Sequence, residues 1–336
     1  MDTPFAKAIA AAASASPMAS GSVPIIPSRV LLVDGDGLAY YCAGNDDTDA
    51  GTARQNLIDK VKGAARQVGA ERIVILLTGS GSNKGWRYAI ARAKPYQGQR
   101  ADARRPKNWQ ALRDYLTGGF CAFEVESTVT AEADDLFGWY AYNFPDDVVI
   151  YTQDKDMRML PGMHLDWVSH RIHTVGYTKT MCIQRELMYN IIPTDSVFNE
   201  KQYGHKWFWL QMLHGDTADN IPGLPKYKTV DAKGKDALKL CGEVTAGKLL
   251  ADESLPHLRV AELYRGFYED RWLAEMLEQA CLLWMRRVPS DWDDCLNPGG
   301  PMAYFNDGEQ EFAKAYFEIE HRIRTAEEIN AAAKDN

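Results

Sequence analysis

Three short apolar runs limit how this chain can fold. RVLLV (29–33), ERIVILL (71–77) and DVVIYT (147–152) are rich in branched aliphatic residues and end in polar or turn-forming ones, which predicts buried strands. Helical spacing separates them, at 54–68, around 109–116 and from Glu132 to about Tyr142. Further strands are expected at CAFEV (121–125) and HLDWV (164–168). Strands alternating with helices predict a parallel α/β sheet. In such a sheet, ligands gather beyond the carboxyl ends of the strands. After about residue 200 the character turns helical, with Gly/Pro turns and many tryptophans, and no internal repeat is visible.

The 336 residues, 46% of them hydrophobic, suffice for one large domain or two modest ones. A net charge of -8 argues against a chain that coats nucleic acid non-specifically, yet leaves room for a local basic patch beside an acidic metal site. Cys42, Cys121, Cys182, Cys241, Cys281 and Cys295 are scattered, without a Cys-x-x-Cys pair. Free thiols in a reducing cytoplasm are therefore expected, and a zinc site is not. No apolar run reaches the roughly 18 residues of a membrane span. Residues 1–28 imitate a signal peptide only weakly, because Leu, Ile and Val are scarce, and a disordered Ala/Ser-rich extension is expected. The polar stretch 325–336 is expected to fray.

Acidic residues fall in four groups: Asp34/Asp36 in VDGDG, Glu132/Asp134/Asp135 in AEADD, Asp154/Asp156 in QDKDM and Asp216/Asp219 in GDTADN. Hard cations such as Mg²⁺ take oxygen ligands. A pair of them about 4 Å apart can activate a water and stabilise the leaving oxygen of a phosphodiester. The first and third groups end strands at one sheet edge, and the second opens a helix there. Singly, each group has a plainer reading. Asp34 suits a turn, Asp36 or Asp154 a helix cap, the AEADD acids a helix macrodipole, and Asp216/Asp219 a turn before Pro222. Crowded together they would repel one another, so the grouping calls for cations.

Residues 84–113 reverse the local charge. Lys84, Arg87, Arg92, Lys94, Arg100, Arg104, Arg105, Lys107 and Arg113 stand against Asp102 alone, with Trp86, Tyr88, Tyr96 and Trp109 interleaved. That mixture suits a phosphate backbone and unstacked bases. A solvated loop is the plainer alternative.

In order, VDGDGLAYYCA, TGSGSNKGWRYAIARAKPYQGQR, AEADDLFGWYA, YTQDKDMRML and GDTADNIPGLP resemble the motifs of the flap endonuclease/5′–3′ exonuclease family. The likeness is greatest to the stand-alone exonucleases of tailed phages, extends to the 5′-nuclease domain of bacterial DNA polymerase I, and spans about residues 29–250. It implies an α/β fold with a PIN-like parallel twisted sheet flanked by helices, plus a helix–three-turn–helix region that holds duplex DNA. The expected layout is a nuclease domain at 29–200 with a basic arch at about 84–113, a helix–three-turn–helix and helical region at 201–300, and a tail at 301–336. The implied activity is metal-dependent 5′–3′ exonuclease or flap endonuclease cleavage of DNA, in phage replication or host DNA degradation, with replication proteins as possible partners and the bacterial cytoplasm as location.

Carried over by position, Asp34, Glu132 and Asp134 would hold one Mg²⁺ (or Mn²⁺). Asp134, Asp154, Asp156 and Asp216 would hold a second, with Asp135 and Asp219 in support. Arg87 and Arg100 would grip the scissile phosphate or the 5′ strand. Lys84, Arg92, Lys94, Arg104, Arg105 and Lys107 would line the DNA path in a mobile arch. Gly223 and Lys248 would meet the duplex, in an element that begins at 215–225 and resumes at GEVTAGKLL (242–250). Three departures stand out. Thr78-Gly79-Ser80 replaces a frequent aspartate, leaving Asp36 or water to fill in. Gln97 replaces a usual arch lysine, for which Lys94 or Arg92 could substitute. Residues 226–240 look inserted, which undermines any carry-over of a K⁺ site. Two other readings remain open. A HAD-type phosphatase would use Asp34 as nucleophile and Asp36 as general acid. A catalytically impaired DNA-binding module would fit the missing aspartate.

Overall fold

The computed structural model describes residues 23–100, 104–175, 190–193, 200–251, 255–305 and 310–334, so residues 1–22 of the expected N-terminal extension lie outside the described residues. β1 (Ile26–Asp34) turns at once into α1 (Gly35–Cys42). The turn needs Gly35, because a Cβ there would lie 2.7 Å from Ile75 Cγ2 and 2.8 Å from the Leu77 side chain. α2 (Ala50–Val68) is capped by the Asp49 side chain, which accepts the Thr52 N–H, and is closed by Gly69 at φ 65°. β2 (Ala70–Thr78), α3 (Arg87–Ile90), α4 (Trp109–Thr117), β3 (Glu124–Thr128), α5 (Ala133–Asn143), β4 (Val148–Tyr151), β5 (Gly162–Leu165) and β6 (Ile172–Val175) follow.

These strands form one sheet in the order β3-β2-β1-β4-β5-β6. Every pairing is parallel except that of β5 with β6. Alternation along the central strands sends side chains to two covered faces. Leu31, Val33, Ile75, Leu77, Val149 and Tyr151 join a core with α1, α2 and α4. Leu32, Val74, Leu76, Val148 and Ile150 join another that includes α5 and the helices of the C-terminal half. The mostly parallel, helix-flanked sheet is the expected one. Two strands lie off their expected positions. β3 starts at Glu124, because Cys121 and Phe123 pack onto the α2/α4 face from the preceding loop. β5 starts at Gly162, ahead of the apolar run that suggested it.

Beyond residue 200 the chain is not purely helical. β7 (Asn190–Pro193) and β8 (Glu200–Tyr203) pair antiparallel, and α6 (His205–His214) follows. The inserted stretch is an antiparallel hairpin, β9 (Lys226–Val230) with β10 (Asp236–Leu240). Then come α7 (Glu243–Leu249), α8 (Pro256–Tyr268), α9 (Trp272–Leu283) and α10 (Gln310–Lys334). The expected fraying at 325–336 is not what the described part of that stretch does: α10 continues to Lys334, anchored earlier by buried Phe312, Ala315, Ile319 and Ile323. Cys42, Cys121, Cys241, Cys281 and Cys295 are free thiols, as expected, and Cys182 lies outside the described residues. Among the described residues, no helix is long and apolar enough to cross a membrane.

His164, buried in β5 with Nε2 2.9 Å from the Leu160 carbonyl, has its pKa pushed down to about 4 by burial. Unfolding restores a pKa near 6.5, so the neutral ring contributes stability that is full above pH 6.5 and is lost as pH falls toward 4. The contribution is on the order of 3 kcal/mol. Urea denaturation of the parent and His164→Phe across pH 4–7 checks this. The stability difference between them should narrow or reverse as pH falls, and a constant difference would show that the ring does not titrate with folding.

Candidate metal centre

Because β1 and β4 are adjacent parallel strands, paired through Val33 and Tyr151, the residues just after them are neighbours. A short hydrogen-bonded chain joins the two ends. Asp34 accepts from the Gly37 N–H at 2.8 Å and from the Thr152 hydroxyl at 2.8 Å. Thr152 Oγ1 accepts the Asp154 N–H at 2.9 Å, and Asp154 Oδ1 accepts the Asp156 N–H at 2.9 Å. Gly37 is confined here, since a Cβ would meet Asp34 Oδ2 at 2.5 Å. Glu132 opens α5 from the same edge in a reciprocal capping box with Asp135.

Electrostatics tie these groups into one site. Burial and the charges of Asp154, Glu132, Asp34 and Asp219 hold the Asp134 carboxyl well above the usual range. Dense surroundings and the charges of Asp34, Asp219 and Asp216 push Asp154 up to about 7. Burial raises Asp34 as well. Burial, Asp154 and Asp216 raise Asp156, while for Asp216 burial is outweighed by the Asp156 hydrogen bond and Lys155, which lower it. The carboxyls of Asp156 and Asp216 are thus shifted in opposite directions.

Asp156, Asp216 and Asp219 each offer a carboxylate oxygen, all within 4.8 Å of one another. Asp216 comes from a tight loop closed by its own backbone pairing with Ile221, and a Cβ on Gly223 would lie 2.3 Å from the Gly215 nitrogen. Asp216 Oδ2 is buried without a hydrogen-bond partner. An oxygen-only donor set, an orphaned buried carboxylate oxygen and mutually raised carboxyls fit a hard divalent cation. Asp34, Glu132 and Asp134, expected on one ion, do not form such a tight group, although Asp134 feels both of the others.

Cations already line the site. Lys155 Nζ is 2.8 Å from Asp216 Oδ1 and 3.6 Å from Asp156 Oδ1. Lys84 Nζ is 3.1 Å from Glu132 Oε1, and Arg100 Nη2 is 2.6 Å from Asp219 Oδ1. Tyr96 Oη lies 2.7 Å from Glu132 Oε2 and 3.0 Å from Asp219 Oδ2, and Gln97 donates to both residues. Gln211 donates to Asp156 at 2.5 Å. Sequence reading missed Tyr96, Gln97 and Lys155 as members of the site, though all lie in the quoted motifs. Gln211 sits mid-helix in α6 and carried no signal.

Several residues expected at the site are engaged by partners within the protein. Arg87, expected on a phosphate, is 2% exposed, and its guanidinium is fully engaged. It pairs bidentately with Asp135 at 2.8 Å and donates to the carbonyls of Leu282 and Trp284. Asp135, expected to support a metal, is the buried partner of that pair. Burial opposes its charge, but Arg87 and Arg286 outweigh it and hold its carboxyl below the usual range. Asp36, expected as a stand-in metal ligand, is paired with Arg113 and accepts the Thr78 N–H at 2.9 Å. A carboxylate in place of Gly79 would need its neighbours to shift, since a Cβ there would meet Val129 Cγ1 at 2.8 Å and the Thr128 carbonyl at 3.0 Å. The N–H of Gly223 goes to Gln279 at 2.9 Å rather than outward. The described part of the arch is not a free band: Arg87, Ile90 and Tyr96 are buried, and Arg92 is tied to Glu275 and Glu278 of α9. Lys94 is exposed. Arg104 pairs with Asp46, Arg105 lies over Trp109, Lys107 reaches the Asp46 carbonyl, and Lys248 is exposed on α7.

No family model and no curated protein matches the chain. Solved structures do. T5 5′-exonuclease with bound divalent metal ions (zinc) aligns with a TM-score of 0.50 at 15% identity, covering 88% of this chain and 99% of that one. A bacteriophage T5 flap endonuclease, in a pseudo-enzyme–product complex with DNA and metal ions, aligns with a TM-score of 0.47 at 16% identity over the same shares. At such identity the likeness shows the fold, and it is the PIN-like fold that the motifs resemble.

Replacing Arg87 by Met would leave Asp135 charged and buried without its partner. A loss of about 3–5 kcal/mol in urea unfolding is expected. Combining Arg87→Met with Asp135→Leu should recover a large part of it. A single variant within about 1 kcal/mol of the parent would remove the structural role assigned to this pair.

Proposed function

We propose that this protein is a metal-dependent 5′-nuclease that hydrolyses phosphodiester bonds of DNA, acting as a 5′–3′ exonuclease or flap endonuclease in a bacterial cytoplasm during phage infection. The observation that carries the proposal is the convergence of carboxylates from four separate segments at the carboxyl edge of a parallel sheet, ending in the Asp156, Asp216 and Asp219 oxygens. Divalent ions bound to the T5 5′-exonuclease, whose fold this chain shares, support the same reading. Asp34, Glu132, Asp134, Asp154, Asp156, Asp216 and Asp219 would hold two Mg²⁺ or Mn²⁺ ions. When bound, such ions lower the pKa of water and neutralise charge on phosphodiester oxygens.

The side chains divide the remaining work. Arg100 and Lys84 stand at the acid cluster and can exchange their carboxylate partners for a phosphate. Lys155 tempers the repulsion between Asp156 and Asp216. Tyr96 and Gln97 hold Glu132 and Asp219 together. Nothing favours the phosphatase alternative: the Asp36 carboxyl that should act as its general acid is tied to Arg113.

The test is digestion of 5′- and 3′-labelled flap, blunt duplex and single-stranded DNA, with Mg²⁺ and with chelator. Cleavage should require the ion and favour 5′ ends. Asp134→Ala and Asp154→Ala should each lower the rate at least about 100-fold while DNA binding survives. Full activity in excess chelator, or equal cutting of 5′ and 3′ flaps, would overturn the proposal. Phosphate release from a small monoester without DNA cleavage would select the phosphatase instead.

A further inference from the structure

The β9–β10 hairpin interrupts the segment between the Gly215–Pro225 loop and α7, and nothing in the chemistry above uses it. Its register places Lys226 opposite Leu240, Lys228 opposite Leu238, and Val230 opposite Asp236. These pairs lie on one face of the ribbon. The other face carries Tyr227, which packs against the core. The first face is open: Val230, Leu238 and Leu240 are 59%, 53% and 72% exposed, and Val244, just beyond in α7, is 74% exposed. Exposed aliphatic residues contiguous on a ribbon mark a contact surface rather than an ordinary solvated face.

Charge indicates what it contacts. Residues 226–240 hold five lysines against two aspartates, in a chain whose net charge is -8. Lys226, Lys228, Lys233 and Lys235 are exposed, and among the described residues the one ion pair that their ammonium groups make is that of Lys228 with the exposed Glu269, at 3.0 Å. A pair that exposed contributes little and is easily exchanged. Position points the same way. Lys226 follows Asp219 of the metal centre by seven residues, so it lies within about 25 Å of it, less than one turn of duplex. The exposed Lys248 of α7 follows shortly after.

We infer that the β9–β10 hairpin is a second duplex-binding element, with Lys226, Lys228, Lys233 and Lys235 on backbone phosphates and Val230, Leu238 and Leu240 against the sugars between them. A two-stranded ribbon has the dimensions to lie in a DNA groove. This rests on the nuclease reading above and adds a substrate-holding surface to it. The hairpin would grip the duplex beside the cut and leave the single-stranded 5′ end to the basic segment before the acidic motifs.

The test uses the full chain with fluorescein-labelled duplex and single-stranded DNA, in a KCl titration without divalent ions. Lys226→Gln/Lys228→Gln should weaken duplex binding several-fold and lower the salt slope by up to about two. Single-strand affinity should stay within about twofold, because those lysines would not meet the single strand. Leu238→Ser/Leu240→Ser should weaken duplex binding without changing the salt slope. With Mg²⁺ and saturating 5′-flap substrate, both variants should cut at the parent rate and show a raised KM. Unchanged duplex affinity and salt slope in the lysine variant would overturn the inference. So would loss of a self-associated form by light scattering in the leucine variant with DNA binding intact, since that would assign the face to a second copy of the chain. Failure of the parent itself to bind or cut DNA would instead reject the nuclease reading, so the two failures are distinguishable.

Discussion

Bringing Asp34, Asp134, Asp154, Asp156, Asp216 and Asp219 to one end of a sheet is unfavourable without counter-charge, because carboxylates crowded in a protein environment repel and lose hydration. The raised carboxyls of Asp134, Asp154, Asp156 and Asp219 express that strain. The chain manages it in two layers. On the sheet side, Arg87 neutralises Asp135 and approaches Glu132 at 3.3 Å, so the helix that presents Asp134 starts from a charge-balanced base. On the open side, Lys155 and Arg100 sit against Asp216 and Asp219, where a cation or phosphate can compete with them.

That arrangement explains the C-terminal helices. Arg87 donates to the carbonyls of Leu282 and Trp284 at the end of α9, and Glu278 of α9 accepts the N–H groups of Arg92 and Ala93. Arg322 of α10 reaches the carbonyls of Ala89 and Ile90. The segment from Lys84 to Tyr96 is therefore held from behind by α9 and α10, and its tip delivers Tyr96 and Gln97 to the acids. Tyr96 has one hydroxyl proton between Glu132 and Asp219, so it can donate to only one at a time. The two carboxylates are coupled through that proton, and a change at either is felt at the other.

The strand ends were legible because their signal is local. An apolar run followed at once by Asp34, or by Asp154 and Asp156, states both the strand and the acid at its carboxyl end. The sorting of acids into site and scaffold was not legible, because the deciding partners are distant in sequence. Arg113 claims Asp36, and Arg87 claims Asp135. Asp219 moved the other way, from a supporting residue into the tight group, because the Gly215–Gly223 loop folds back on itself. The basic segment misled for a related reason. Its composition suits a solvated arch, but charge content does not reveal that Arg87 is inside the protein.

The hairpin is attached to the carboxylate loop without taking part in the contacts that shape it. The loop bearing Asp216 and Asp219 is fixed upstream of the insertion by the Asp216–Ile221 pairing, by the Gly223 N–H on Gln279 and by the Leu224 N–H on the Leu213 carbonyl. At the base of the hairpin, the Cys241 N–H meets the Pro225 carbonyl at 3.4 Å, so the chain leaves and returns at nearly the same place. A ribbon rooted between joined ends adds little strain to its host. The carboxylate loop is held by its own backbone pairing and by Gln279 of α9, none of which involves the hairpin, and the exposed face of the ribbon lies outside those contacts. Substitutions on the exposed face of the ribbon therefore leave the packing that positions Asp216 and Asp219 untouched.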